Sequence, residues 1–188
     1  MMDTSTLTGK LVRLKALEIE KHAAALERWV QDSEYSRLLN IEPAALWPAK
    51  QMQEWFEKEF KADTIFFGIH SLEDDRLIGD TTLGGFDWTA GNAWVGIGLG
   101  EREYWGKGYG TDAMRLVLRF AFRELNLNRV SLDVFEYNPR GIRSYENAGF
   151  KHEGRGRSWL MRDGRRWDMV YMGILRSEWK ELQRQKKD

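Results

Sequence analysis

The chain has 188 residues, no cysteine, and 29 basic against 29 acidic side chains, for a formal net charge of zero. That length suits one domain able to bury a proper core. The charge balance excludes a global basic field for nucleic acid or an anionic membrane, and the missing cysteine excludes disulfides, thiol nucleophiles and thiolate metal sites. The charge is uneven all the same: residues 1–94 carry 16 acidic and 10 basic side chains, residues 95–188 carry 13 and 19. His22, His70 and His152 show no metal-ligand spacing, so no metal is expected. There is no basic-then-apolar leader and no apolar run of membrane-spanning length, which makes a cytoplasmic protein the expectation. One domain over residues 1–188 is expected, with a core at 8–176 and a charged tail at 177–188.

Residues 1–8 are polar. Lys10 to Leu14 alternates as a short first strand. Leu17 to Gln31 has a helical stripe of Ala23, Leu26 and Val30. Tyr35 to Pro48 reads as irregular, interrupted by Pro43 and Pro48; its Tyr35, Leu38, Leu39, Ile41 and Trp47 either cover the core or line a cleft. Pro48 sits where a second helix can begin, with Met52, Trp55, Phe56 and Phe60 on one face. Thr64 to Ser71 and Leu77 to Phe86, joined by an acidic turn at 73–76, make a hairpin. Asp87 to Asn92 then turns the chain into the next strand.

From Val95 to Gly100 the residues alternate strictly, with Val95, Ile97 and Leu99 on one face and Gly96, Gly98 and Gly100 on the other. A strand face made only of glycine leaves room for something to lie close to the backbone, and a long thin ligand is the expectation. Gly106, Gly108 and Gly110 follow in a loop. Ala113, Leu116, Val117, Phe120 and Ala121 then recur at helical spacing. Such a loop can aim backbone N–H groups at one point, and the helix start adds its own free N–H groups and positive dipole end. The product is an anion cradle. The third glycine is too close to the second for a dinucleotide-binding turn, and Thr111-Asp112 replaces the Lys-Ser/Thr of a Walker loop.

Asn126 to Asn128 ends the helix. Arg129 to Tyr137 is β-rich, Asn138-Pro139 stops it, and Arg140 to Ala148 forms a short helix ended by Gly149. Phe150 to Leu160, a turn at 162–165, and Trp167 to Leu175 make a final hairpin. The tail from Glu178 is compatible with helix. The order predicts an α/β (α+β) fold, a mixed and mostly antiparallel central sheet that becomes parallel across one strand–helix–strand crossover, flanked by helices.

The glycine-faced strand, the Y-W-G-K-G-Y-G-T-D-A-M helix start at 104–114 and the V-S-L-D-V-F-E-Y-N-P-R-G-I-R-S-Y-E-N-A-G-F stretch at 130–150 together resemble the GNAT superfamily of N-acetyltransferases. The closest likeness is to the RimJ/RimL-like branch, which acetylates ribosomal-protein N-termini and includes polyamine acetylators; Gly164 to Leu175 fits that branch too. The resemblance implies acetyl-CoA as cosubstrate and a sheet splayed at its one parallel pair. The pantetheine arm would lie along Ile97, Gly98 and Leu99, and the pyrophosphate on the loop of Gly106, Lys107, Gly108, Tyr109, Gly110 and Thr111. Lys107 and Arg143 either supply cationic contacts to the phosphates or are simply solvated basic residues. Trp105 stands where the family usually has Gln or Arg.

By the same resemblance Tyr145 matches the proton donor for the departing thiolate; otherwise it packs its helix onto the sheet. Asn138 is placed to bond the cofactor or an ordered water, or to cap the helix that follows. For the general base Asp80, Asp87, Glu101, Glu103 and Asp133 remain open, each also readable as a solvated carboxylate, with a water relay as a further route. Direct attack by the amine fits a chain with no cysteine and no Ser-His-Asp order. The expected acceptor is a primary amine, on a protein N-terminus or a small molecule such as a polyamine. The alternative is a non-catalytic acyl-CoA-binding sensor or interaction module of the same fold. Many members of that family dimerise, so a homodimer is compatible, with no interface legible.

Overall fold

A computed structural model describes residues 6–42, 48, 50–51, 54 and 63–185. The helix expected after Pro48, with Met52, Trp55, Phe56 and Phe60, falls largely outside the described residues, as does Trp47.

Strand β1 (Val12–Ala16) begins two residues later than its alternation predicts. The cause is Asp112, whose carboxylate accepts the amides of Lys10, Leu11 and Val12 at 2.8, 2.7 and 3.2 Å and holds that stretch as a turn. Helix α1 (Ile19–Gln31) buries His22, Leu26 and Trp29, so the stripe is rotated from the predicted Ala23–Leu26–Val30 line. A short helix α2 (Ser33–Leu39) then corrects the irregular reading of this segment. Asp32 starts it by accepting the amides of Glu34 and Tyr35 at 3.0 and 3.3 Å, an ordinary N-cap.

Strands β2 (Thr64–Ser71) and β3 (Leu77–Asp87) form the predicted hairpin, and β4 (Asn92–Leu99) follows a turn closed by Gly91 at φ +70°. A single 3-10 turn at Arg102–Tyr104 leads to the loop and to helix α3 (Tyr109–Arg123). Then come β5 (Arg129–Phe135), α4 (Pro139–Ala148), β6 (Lys151–Arg162), β7 (Arg165–Leu175) and α5 (Arg176–Gln185). Asp163 and Gly164, at φ 53° and 70°, make the two-residue turn that suits a twisted hairpin.

The described strands form one sheet in the order β1-β2-β3-β4-β5-β7-β6. All neighbours are antiparallel except β4 and β5. This is the mixed α/β sheet with one parallel pair that the element order implies. Its larger core gathers Val12, Leu14, Phe67, Ile69 and Leu132 around α3, with Trp179 and Leu182 of α5 packed against it. A smaller cluster on α1, α2 and the adjoining strands holds Leu26, Trp29, Tyr35, Phe66 and Leu77. Helix α3 is buried almost all round, with Ala113, Met114, Val117, Leu118 and Ala121 inaccessible.

Asp112 therefore ties the start of the sheet to the first turn of α3. Asp112→Ala is expected to lower stability by about 2 kcal/mol, because three amides lose a charged acceptor. In a chain of this size that moves the thermal midpoint down by roughly 4–8 °C, read by calorimetry.

Candidate active site

The parallel pairing of β4 with β5 stops after Asn92–Arg129, Ala93–Val130 and Trp94–Ser131, and the strands then part. Gly91 O accepts the amides of Asn128 and Arg129 on the β5 side, whereas Gly100 N–H donates to Ile78 O on the β3 side. Alternation along the strand therefore turns the backbone groups of Ile97 and Leu99 toward the gap. Trp105 occupies one of them, its indole N–H donating to Leu99 O at 2.6 Å.

The glycine face of this strand is not a free lane, and here the expectation is corrected. A methyl group added at Gly100 would lie 1.9 Å from the Trp29 ring, and one at Gly98 would lie 2.4 Å from the Tyr35 hydroxyl. Gly98 and Gly100 thus admit the protein's own aromatic side chains from α2 and α1, while Gly96 lies beside Thr82 Oγ1. What faces the gap is the edge of the strand rather than its bare face.

Beyond that edge the loop turns through Gly106 (φ +72°) and Gly108 (φ +91°), conformations that glycine adopts without strain. Gly108 is the N-cap of α3 and no side chain caps the helix. The first helical bond runs from Asp112 N–H to Gly108 O, so the amides of Tyr109, Gly110 and Thr111 lack intrahelical acceptors. Asp112, the acidic residue of this turn, faces away and is engaged by the three amides of residues 10–12. The dipole end of α3 is left for an outside anion.

Edge, loop and helix starts surround a cavity of about 360 Å³. The structure brings ten of the predicted site residues to its wall: Ile97, Gly98, Leu99, Gly106, Gly108, Gly110, Thr111, Asn138, Arg143 and Tyr145. Lys107 and Tyr109 are not among the lining residues. Lys107 is exposed, and Tyr109 packs edge-on against Tyr104 at 4.8 Å. Asn138 caps α4, accepting the Gly141 amide at 2.9 Å, while also lining the cavity. Thr111 Oγ1 meets Ser144 Oγ at 2.9 Å and joins the start of α3 to α4.

Tyr35, Leu38 and Leu39, which the sequence leaves as core cover or cleft lining, line the cavity from α2, a helix whose Asp32 cap was the signal passed over. Trp105 and Arg140 form a further wall, the guanidinium lying 3.9 Å from the ring centroid, a cation–π stack. Burial pulls Arg140 below its ordinary pKa. On the far side Arg162 fixes the end of α2, donating to the carbonyls of Arg37 at 2.6 Å and of Asn40 and Ile41 at 3.1 Å.

Tyr145 is half-buried, with its ring edge-on to Phe150 and its hydroxyl unpartnered among the described residues. Burial, and then the Asp133 carboxylate, push it up to about 12, so it stays a neutral phenol throughout the neutral range.

The five carboxylates left open by the sequence now separate. Asp87 accepts the Ala90 amide at 2.9 Å within its turn. Glu103 is exposed and paired with Arg76 at 2.8 Å. Glu101 is buried and held by Arg28, Arg76 and the Trp29 indole N–H, the last at 2.9 Å. Asp133 lies on β5 and is raised by burial. Asp80 has, among the described residues, the Tyr35 hydroxyl alone as hydrogen-bond partner, at 3.4 Å. Glu101 is thus a structural hub. Its two arginines are half-exposed and stay solvated without it, but the buried Trp29 N–H does not. Glu101→Leu is expected to cost about 1–3 kcal/mol, the penalty of one orphaned buried donor, as read by urea unfolding.

Residues 12–151 match the family model described as Acetyltransferase (GNAT) domain. The chain is 28% identical over 176 residues to the Uncharacterized N-acetyltransferase p20 of Bacillus licheniformis, covering 93% of this chain and 98% of that one. It is 33% identical over 131 residues to the SPbeta prophage-derived uncharacterized N-acetyltransferase YokL of Bacillus subtilis (strain 168), covering 69% and 72%. Among solved structures, a spermidine N-acetyltransferase from Vibrio cholerae in complex with CoA and spermine superposes with a TM-score of 0.80 at 24% identity, over 90% of this chain and 98% of the other.

Proposed function

The chain belongs to the GNAT acetyltransferase family, and from that premise we propose that it transfers the acetyl group of acetyl-coenzyme A to a primary amine by direct attack. The observation that carries this reading is the uncapped amide cluster at the start of α3, opening onto the same cavity as the unpaired edge of β4. Coenzyme A is a diphosphate joined to an extended amide chain. The α3 amides and the loop at Gly106–Gly110 suit the diphosphate, Arg140 and Arg143 suit its remaining charge, and Ile97 suits strand-like pairing with the amides. Bound there, acetyl-coenzyme A supplies an activated acyl carbon. Tyr145 supplies the proton for the departing sulfur, and its raised pKa keeps that proton in place until the sulfur becomes basic.

The acceptor belongs to the class of primary amines, either a protein N-terminus or a small molecule such as a polyamine. Purified protein is incubated with acetyl-coenzyme A and a panel holding spermidine, a serine-initiated tetrapeptide and an amino sugar. Free thiol is followed and the products are weighed by mass spectrometry. Thiol release with a 42 Da mass gain on one amine, the acetyl increment, supports the proposal. Binding of acetyl-coenzyme A with no thiol release across the panel favours the non-catalytic sensor instead.

A further inference from the structure

Asp80 lies on β3, and its register partners are Gly68 on β2 and Gly98 on β4. Both neighbours lack a side chain; over Gly68 the space is closed by Leu77, His70 and Leu17, whose nearest atoms would lie 2.8, 3.3 and 3.5 Å from a methyl group there. Into the space over Gly98 come Leu39 Cδ1 and the Tyr35 hydroxyl, both from α2, and the hydroxyl donates to Asp80 Oδ1 at 3.4 Å. Tyr35 itself lines the cavity, beside Gly98 and in the same wall as Ile97 and Leu99. Among the described residues Asp80 forms no ion pair; Tyr35 donates to it, and the other titratable side chain beside its register partner is the buried His70, whose Nε2 lies over Gly68 without a hydrogen-bond partner. A partly buried carboxylate without a cation costs a fold stability, and a fold that keeps one commonly uses it.

We propose that Tyr35 and Asp80 form a proton relay on the acceptor side, the Tyr35 hydroxyl taking a proton from the incoming ammonium as its own proton passes to Asp80. This rests on the transferase reading above. The balance is complete. The ammonium R–NH3+ becomes the nucleophile R–NH2, Tyr35 ends neutral, and Asp80 ends as the acid and later releases its proton to solvent. The N–C bond then forms and the C–S bond breaks. The sulfur takes the Tyr145 proton, and Tyr145 recovers one from the acylated nitrogen. Tyr35 is pushed well above the ordinary tyrosine value by burial, so it serves as a conduit and not as a phenolate. Burial also lifts Asp80 to about 6, which lets it hold a proton near neutrality. The 3.4 Å separation is long for such a bond, and catalytic hydrogen bonds tighten when the substrate charge arrives.

The test follows thiol release against pH with spermidine and with the serine-initiated tetrapeptide. The carboxylate is the working form, so wild-type kcat/KM should fall as pH drops through about 6. The same midpoint for both probes, whose own amines differ by about two pKa units, marks the limb as the protein's. Asp80→Asn should remove that limb and lower kcat/KM about 10²-fold, with acetyl-coenzyme A affinity by calorimetry unchanged. Tyr35→Phe should do the same.

Stability gives a readout independent of turnover. A carboxyl group whose folded pKa is raised stabilises the fold while protonated, and that contribution is lost as pH rises through about 6. Asp80→Asn escapes the loss, so its thermal midpoint at pH 8 should be higher than that of the wild type, whereas a purely structural carboxylate would leave it lower. A lower midpoint, or a limb that survives in Asp80→Asn while the wild type still acetylates, overturns the relay and leaves the transferase standing. No thiol release from the wild type with either probe overturns the transferase reading and the relay with it.

Discussion

Tyr145→Phe is expected to lower kcat about 10³-fold while the dissociation constant for acetyl-coenzyme A stays put, as read by thiol release and by calorimetry. The substitution removes one oxygen and leaves the ring that packs against Phe150, so helix α4 keeps its seat on the sheet. That oxygen has no partner among the described residues and lies on the cavity wall, so its loss orphans nothing. A hydroxyl raised to about 12 is still protonated in mildly alkaline buffer. Any alkaline decline of the wild-type rate therefore belongs to another group. A packing role would leave the rate unchanged, because phenylalanine keeps the ring against Phe150.

Gly110→Val is expected to weaken acetyl-coenzyme A binding at least about 10²-fold, roughly 2.7 kcal/mol, with the fold intact by circular dichroism. The position is chosen for its backbone. Gly106 and Gly108 have φ of +72° and +91°, so any side chain there adds strain of about 1–3 kcal/mol and confuses binding with folding. Gly110 has no such φ. A methyl group on it would meet Ser144 Oγ at 3.4 Å and Leu99 Cδ1 at 3.6 Å, which are ordinary contacts. The branched methyls of valine go further, over the amides at the start of α3. Gly110→Ala should fall between the two, and full affinity in Gly110→Val would remove the anion site from this loop.

Much of this architecture is legible wherever one period dominates the sequence. The β2–β3 hairpin alternates between two ends rich in turn formers, and α3 repeats its apolar residues too regularly to be anything but a buried helix. Helix α2 escaped because seven residues hold fewer than two full periods, and Asp32 was the one local cue. The stripe of α1 was misplaced because His22 and Trp29 are buried through their neighbours, a tertiary choice that hydropathy does not encode. At the site, the glycines at 106, 108 and 110 were readable as a backbone device. The reading of Gly98 and Gly100 was wrong in object: an absent side chain tells of close approach and not of who approaches, and the visitors are Tyr35 at the first and Trp29 at the second. The Asp80–Tyr35 pair spans 45 residues and exists only once α2 folds over the sheet.

The interruption in the sheet has one more effect. Unpaired ladder groups at the rim of a sheet invite another chain to dock and aggregate, which is why rims are shortened or charged. Here such groups also occur at the middle of the sheet, between β4 and β5, where the loop and the starts of two helices crowd the opening. A strand from another molecule would have to pass that loop and those helix starts to reach these groups, so crowding does in the interior what shortening and charge do at a rim.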